Sequence, residues 1–171
     1  MPVYLQACIR YVKPVLLDMS NILILFHSQT GNTERLARAV LQGVEETENT
    51  RAIFRKAVDT EAKDLKACNA LVICSPEYFG YMAGAVKDVF DRTYEELKDD
   101  PAVHKKPFCI VISAGNDGTG ALTHIERICK GYGFKKVQNP IICKGPITEE
   151  MLVRCVELGK TIAEGVNAGI F

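Results

Sequence analysis

The sequence lacks an excess charge of either sign, because 21 lysine and arginine residues balance 21 aspartate and glutamate residues. Nucleic-acid-binding proteins usually carry a visible basic excess, so we expect no nucleic-acid partner. None of the seven cysteines forms a CxxC pair, and the three histidines show no metal-ligand spacing. We therefore expect no metal site and a reducing, cytoplasmic location.

The first eighteen residues lack the uninterrupted hydrophobic segment of a signal peptide, because Arg10, Lys13 and Pro14 divide them. They contain no membrane-spanning segment either. Met19 lies just before the first strongly apolar run, so we interpret residues 1–18 as an N-terminal extension or as the result of a misassigned start codon. Residues 19–171 have a suitable length for one domain.

Apolar runs alternate with amphipathic segments along the rest of the chain. The run at residues 22–26 is continuous, which is typical of a strand covered on both faces of a parallel sheet. The apolar residues that follow it recur at helical spacing. The same alternation predicts five strands, near residues 22–26, 51–58, 70–74, 108–112 and 141–143, and five helices. This order predicts an α/β fold of the doubly wound, three-layer sandwich type.

Loops rich in glycine, small polar residues or aromatics follow three of the predicted strands, at residues 28–33, 76–82 and 114–119. In a doubly wound sheet, ligands bind outside the carboxyl ends of the strands. We therefore expect these three loops to form one ligand site.

The first of these loops, Ser28-Gln29-Thr30-Gly31-Asn32-Thr33, combines three hydroxyl side chains with a glycine and the amide N–H groups of a helix start. Such a loop binds an anion through oriented N–H donors and the helix dipole. It contains no lysine or arginine, so a terminal monophosphate fits better than a triphosphate, which usually recruits a lysine and magnesium. For this loop alone, a plain helix cap is the alternative interpretation.

Three other classes of α/β protein lack support in the sequence. A receiver domain needs acidic residues where the first strand ends, but Phe26-His27-Ser28 stand there. A small tyrosine phosphatase needs a cysteine five residues before an arginine in its phosphate loop, and no cysteine here has that spacing. The GxGxxG loop of a dinucleotide-binding domain is absent as well.

The first loop resembles the S/T-x-T-G-N-T phosphate signature of the flavodoxin family. Residues 75–84, with their continuation to Arg92, resemble the second flavin loop and following helix of flavodoxin-like NAD(P)H-dependent FMN and quinone reductases. Residues 113–118 occupy the place of the third loop of those enzymes. The resemblance covers about residues 20–171. It implies a short-chain flavodoxin-like fold, with a five-stranded parallel sheet of order 2-1-3-4-5, and FMN as the cofactor.

By this resemblance the first loop holds the FMN phosphate and the second lines the isoalloxazine ring. The third contacts the pyrimidine side of the ring or covers the ring. The residues concerned are Ser28, Gln29, Thr30, Gly31, Asn32 and Thr33; Pro76, Glu77, Tyr78, Phe79 and Gly80; and Ala114, Gly115, Asn116 and Asp117. Tyr78 and Phe79 offer aromatic surfaces in a chain without tryptophan. Gly80 allows a close approach of the backbone to the ring. Glu77 and Asp117 are the ionisable candidates in these loops, and no catalytic residue is assigned.

The function implied by the resemblance is FMN-dependent transfer of electrons from NAD(P)H to a quinone or another small acceptor. The alternative is a non-enzymatic electron carrier that docks on protein redox partners. The neutral charge disfavours the carrier, because electron-carrier flavodoxins are typically acidic. A flavin-binding domain with an interaction role is a third interpretation. The sequence leaves the oligomeric state open, a homodimer included.

Overall fold

Residues 19–171, the part of the chain that the computed structural model describes, alternate between strands and helices. The strands are β1 Ser20–Phe26, β2 Thr50–Lys56, β3 Ala70–Tyr78, β4 Tyr81–Met82, β5 Pro107–Ala114, β6 Lys135–Lys136 and β7 Ile141–Lys144. The α-helices are α1 Asn32–Glu45, α2 Ala62–Ala67, α3 Gly84–Leu97, α4 Thr119–Gly131 and α5 Glu149–Asn167. The interpretation of residues 1–18 as an extension lies outside the described residues.

The parallel strands follow the predicted order. β1 lies between β2 and β3, β3 pairs with β5, and β5 pairs with both β6 and β7. β6 and β7 occupy the position of the predicted fifth strand, so the order 2-1-3-4-5 is confirmed. The prediction of five unbroken strands is refined in two places. Residues 137–140 interrupt the last strand, where Pro140 has no N–H to donate to β5. The short β4 adds an antiparallel partner for β3.

Helices cover both faces of the sheet. α1 and α5 pack on the face that carries Ile22, Ile24 and Phe26. α2, α3 and α4 pack on the opposite face, which carries Leu23 and Leu25. Successive side chains of residues 22–26 therefore point to different cores and all are buried, as the continuous apolar run predicted. The three-layer sandwich is confirmed.

α1 and α5 contact each other at two glycines. A β-carbon at Gly43 would lie 1.9 Å from the carbonyl oxygen of Val156, and one at Gly159 would lie 2.2 Å from that of Val40. The two backbones touch here, so neither position has room for a side chain. This contact fixes the distance between α1 and α5. Within residues 19–171, no helix is both long enough and apolar enough to cross a membrane.

Candidate functional site

The three predicted loops meet at the carboxyl edge of the sheet, around a cavity of about 330 Å³. Because the preceding strands are parallel neighbours, their ends bring together residues that are far apart in the chain. The predicted site residues that line this first cavity are Ser28, Gln29, Thr30, Asn32, Thr33, Pro76, Glu77, Tyr78, Ala114 and Gly115. Two residues outside the predicted set, Ser113 and Gly145, line it as well.

A second cavity of about 500 Å³ lies beside the first. The predicted residues Phe79, Gly80, Asn116 and Asp117 line this second cavity and not the first. Glu77 and Gly115 line both, so they form the boundary between the two cavities. The predicted site residues therefore divide into two adjoining groups, one around the α1 N-terminus and one around the start of α4.

The first loop leaves the N-terminus of α1 open. Gly31 caps the helix in the left-handed region at φ +90°, and its N–H donates to the Ser28 hydroxyl at 3.1 Å. No oxygen atom of residues 19–171 accepts a hydrogen bond from the N–H of Asn32, Thr33 or Glu34. These donors and the positive end of the helix dipole are available to an anion in the first cavity. The donor set fits a phosphate group held without a basic side chain.

Thr33 is placed differently from the other hydroxyl residues of the loop. Its side chain is buried, and its Oγ1 shares a hydrogen bond with Ser113 Oγ at 2.8 Å. Thr30 is exposed at the mouth of the cavity. The Thr33 hydroxyl therefore also joins the first loop to the end of β5, which the sequence analysis did not anticipate.

The second loop is a β-hairpin rather than the open loop predicted for residues 76–82. Glu77 pairs with Met82, and Tyr78 pairs with Tyr81. Phe79 and Gly80 form the two-residue turn, with φ values of 52° and 73°. Two left-handed residues in succession are the requirement of a type I′ turn, whose twist matches that of the strands. The Phe79 side chain is fully exposed at the tip.

Glu77 and Asp117, the two ionisable candidates, both cap the N-terminus of α4. Glu77 Oε2 accepts from the N–H of Gly118 at 3.0 Å, and Glu77 Oε1 accepts from Gly120 at 3.0 Å and Ala121 at 3.3 Å. Asp117 Oδ1 accepts from the Oγ1 and N–H of Thr119 at 2.7 and 2.8 Å. The Thr119 hydroxyl and then its N–H lower the pKa of Asp117. Both carboxylates are thus committed to structural hydrogen bonds.

The two helix N-termini at the cleft are therefore not equivalent. The first N–H groups of α4 are satisfied by protein carboxylates, whereas those of α1 have no acceptor among the described residues. An anion at α4 would compete with the Glu77 and Asp117 carboxylates for these N–H groups, whereas no carboxylate of the described residues accepts from the first N–H groups of α1. This asymmetry favours α1 as the phosphate position.

Several residues that build the site were missed by the sequence analysis. Ser75 Oγ accepts from the N–H of Ala83 at 3.0 Å and closes the base of the hairpin. At Gly120 a β-carbon would lie 2.0 Å from the carbonyl oxygen of Gly80, so α4 can approach the hairpin only with glycine there. Ser113 directly follows the predicted strand at residues 108–112, and Gly145 lies two residues after the one predicted at 141–143. These positions at strand ends were the available signal. Their partners are distant in sequence and leave no local pattern.

The cysteines of residues 19–171 are buried free thiols. Burial raises the pKa of Cys109 and of Cys155 to about 12. Burial, and then the neighbouring Cys155 and Cys109, raise the pKa of Cys74 well above its ordinary value. Cys74 lies just before the second loop but stays protonated and packs in the core. No group of three potential metal ligands occurs within the described part of the chain.

Comparison with known proteins relates this chain to flavoproteins. The family model described as NADPH-dependent FMN reductase matches residues 44–142, which include the second and third loops. A flavodoxin from Aquifex aeolicus is 25% identical over 164 residues, covering 86% of this chain and 88% of that protein. An NAD(P)H dehydrogenase (quinone) from Geobacter sulfurreducens is 26% identical over 97 residues, which are 43% of this chain and 48% of that protein.

Solved structures show the same architecture. A flavodoxin from the domain Archaea superposes with a TM-score of 0.73 at 24% identity. The superposition covers 85% of this chain and 98% of the archaeal protein. The flavodoxin-like fold is therefore confirmed over nearly all of the described residues.

Proposed function

Because the chain belongs to the family of NADPH-dependent FMN reductases, we propose that it binds FMN between its three loops and transfers electrons from NAD(P)H to a quinone or another small acceptor. The family and the fold both support an FMN-binding, flavodoxin-like oxidoreductase. The observation that carries the cofactor assignment is the open N-terminus of α1, where Asn32, Thr33 and Glu34 present N–H donors without protein acceptors. Bound FMN would supply the redox chemistry.

The chain itself would contribute binding and orientation. The α1 N–H groups and the Thr30 hydroxyl would hold the phosphate through neutral donors. The hairpin of residues 76–82 and residues 114–117 form the two walls beyond the phosphate position. Glu77 and Asp117 are already engaged with α4, so the assignment of either as a catalytic acid or base gains no support from the geometry.

The cofactor proposal is tested by titrating the apoprotein with FMN and with riboflavin, which lacks the phosphate. We expect FMN to bind at least about tenfold more tightly, because each hydrogen bond to a charged group contributes roughly 1.5–3 kcal/mol. Flavin absorbance and fluorescence provide the readout. Equal affinities for the two flavins would overturn the role of α1.

The reductase activity is tested separately by steady-state oxidation of NADPH and NADH with a soluble quinone. We expect the FMN-loaded protein to oxidise at least one of the two donors faster than the same concentration of free FMN does. The similarity to a flavodoxin over 88% of its length supports the carrier as the second candidate. The carrier would be favoured if the protein oxidised neither NADPH nor NADH and if the chemically reduced protein transferred electrons rapidly to a protein acceptor.

A further inference from the structure

The Glu77 side chain forms a bridge between two loops of the cleft. It extends from β3, yet its carboxylate accepts three hydrogen bonds from backbone groups that lie 41 to 44 residues later in the chain. The donors are the N–H groups of Gly118, Gly120 and Ala121, at the start of α4. Carboxylate oxygens that accept N–H groups at the positive end of a helix form charge-assisted hydrogen bonds.

The backbones are also in direct contact at this bridge. Gly120 lies so close to the Gly80 carbonyl that a β-carbon would come within 2.0 Å of its oxygen and 3.1 Å of Glu77 Oε1. Gly118 begins the helix in the left-handed region at φ +75°, and a β-carbon there would lie 2.6 Å from Ile142. The start of α4 therefore packs closely against the hairpin, and the hydrogen bonds to the Glu77 carboxylate stabilise this packing.

We propose that Glu77 is a positioning residue, whose carboxylate holds the N-terminus of α4, and with it residues 114–118, against the β3–β4 hairpin. The inference rests on the proposed function, since these two segments are the walls that would enclose the flavin ring. In the absence of the carboxylate, the glycine-rich segment at residues 115–120 loses its contact with the hairpin. The binding-competent form of the cleft is then less populated. The apparent flavin affinity falls in proportion to the fraction of molecules that remain in this form.

The hydrogen bonds of the bridge do not involve the proposed phosphate donors. The phosphate donors belong to α1 and the first loop, whereas Glu77 contacts α4. A defect in the bridge should therefore weaken FMN and riboflavin by the same factor. A defect at α1 should instead reduce the preference for FMN. The ratio of the two affinities distinguishes one cause from the other.

The first test is amide hydrogen exchange in the wild-type apoprotein, followed by NMR. We expect the amides of Gly118, Gly120 and Ala121 to exchange at least about tenfold more slowly, relative to their intrinsic rates, than those at the start of α1. The comparison is matched, because both sets lie in the first turn of a helix at the same edge of the sheet. Equal exchange at the two helix starts would overturn the proposal.

The second test is the substitution Glu77→Gln, which keeps the shape but removes the charge and one acceptor oxygen. We expect the three amides to exchange about tenfold faster, and the dissociation constants of FMN and riboflavin to rise by one common factor of about ten. The matched control is Glu61→Gln, because Glu61 caps α2 in a capping box with Asp64, away from the cleft. We expect no change in either flavin affinity for this control.

The outcomes separate the bridge from the proposed function. Unchanged flavin affinities in Glu77→Gln, or a loss confined to FMN, would contradict the positioning role, whatever happens to the melting temperature. Failure of the wild-type protein to bind either flavin would instead contradict the proposed function. The exchange measurement on the apoprotein would still decide whether Glu77 fastens α4. The same exchange measurement on the wild-type protein tests the role of Glu77 if the Glu77→Gln variant does not fold.

Discussion

At the scale of single residues, the cleft depends on side chains that satisfy backbone groups or side chains of other segments. The Ser75 hydroxyl closes the hairpin base, Thr33 pairs with Ser113, and Glu77 caps α4. The place of the hydroxyl-rich first loop at the start of α1 was predictable, because small polar residues and a glycine between a strand and a helix form a local pattern. The hydrogen-bond partners of Glu77 and Thr33 could not be predicted, since they lie 41 and 80 residues away in the chain.

The hydroxyl groups of the first loop lead to a prediction about affinity. We expect Thr30→Ala combined with Thr33→Ala to raise the dissociation constant of FMN at least about tenfold. The Thr30 hydroxyl no longer bonds the charged phosphate, and the first loop loses the hydrogen bond between Thr33 and Ser113 that joins it to β5. Fluorescence titration of the apoprotein gives the constant. Thr161→Ala is the control, since its hydroxyl donates to Glu157 on the remote α5. An unchanged constant in the double variant would refute the contribution of these hydroxyls.

The hairpin turn leads to a prediction about stability. Gly80 and Gly84 both have open space where a β-carbon would stand, but only Gly80 has a positive φ, of 73°. We therefore expect Gly80→Ala to lower the free energy of unfolding by roughly 1–2 kcal/mol. Gly84→Ala, in the first turn of α3, should leave it unchanged or raise it by roughly 0.4–1 kcal/mol. Urea titration of both variants measures the difference, and equal effects would show that backbone conformation is unimportant at the turn.

At the scale of elements, α1 and α5 pack closely on each other. Gly43 and Gly159 allow the helix backbones to touch, which fixes the distance between the two helices. The amphipathic pattern predicted both helices and their buried faces. The pattern did not identify the glycines as contact points, because glycine carries no hydrophobic side chain to mark a buried face.

This contact predicts a large effect of a single methyl group. Gly43→Ala would place a β-carbon 1.9 Å from the backbone oxygen of Val156, so the helices must separate. We expect the free energy of unfolding to fall by roughly 1–3 kcal/mol or more, as overpacking does in other cores. Gly131→Ala at the end of α4, where no atom lies within 4 Å, is the matched control and should not destabilise. Similar unfolding midpoints for the two variants would argue against the contact.

At the scale of the whole molecule, the two cores on either side of the sheet enclose the thiols of the described residues. Cys68 and Cys129 lie in one core, and Cys74, Cys109, Cys143 and Cys155 lie in the other. Burial raises the pKa of each of these thiols. The folded protein therefore keeps them protonated at a pH at which the unfolded chain ionises.

The raised pKa values predict that stability falls in alkaline solution. Each thiol contributes stability that is fully present below its unfolded pKa of about 8.5 and is lost as the pH rises toward its folded value. For Cys109 the folded value is about 12, so the window runs from roughly pH 9 to 12. We expect the loss from Cys109 to approach 1.4 kcal/mol for each pH unit above 9. Urea titrations at pH 8 and pH 10 measure it.

A cysteine variant separates the thiols from the other groups that titrate in this range. Cys109→Ala should lose less stability between pH 8 and pH 10 than the wild type does, because one raised pKa has been removed. The same loss in both proteins would show that lysine and tyrosine side chains cause the decline.

The sequence by itself determined the fold class, the order of strands and helices, and the three loops that meet at the carboxyl edge of the sheet. These features follow from local periodicity, which records the faces that each segment buries. The resemblance of the loops to those of flavin-binding proteins supplied the strand order 2-1-3-4-5 and the family. The sheet order and the family are both confirmed.

Only the tertiary structure decided which helix N-terminus is open to an anion and which is closed. In sequence, the starts of α1 and α4 are both glycine-containing turns that follow buried strands. They differ because Glu77, on β3, reaches the first N–H groups of α4, and no corresponding carboxylate reaches those of α1. A hydrogen bond between segments 41 to 44 residues apart has no local signature, since its partners become neighbours only when the sheet has formed.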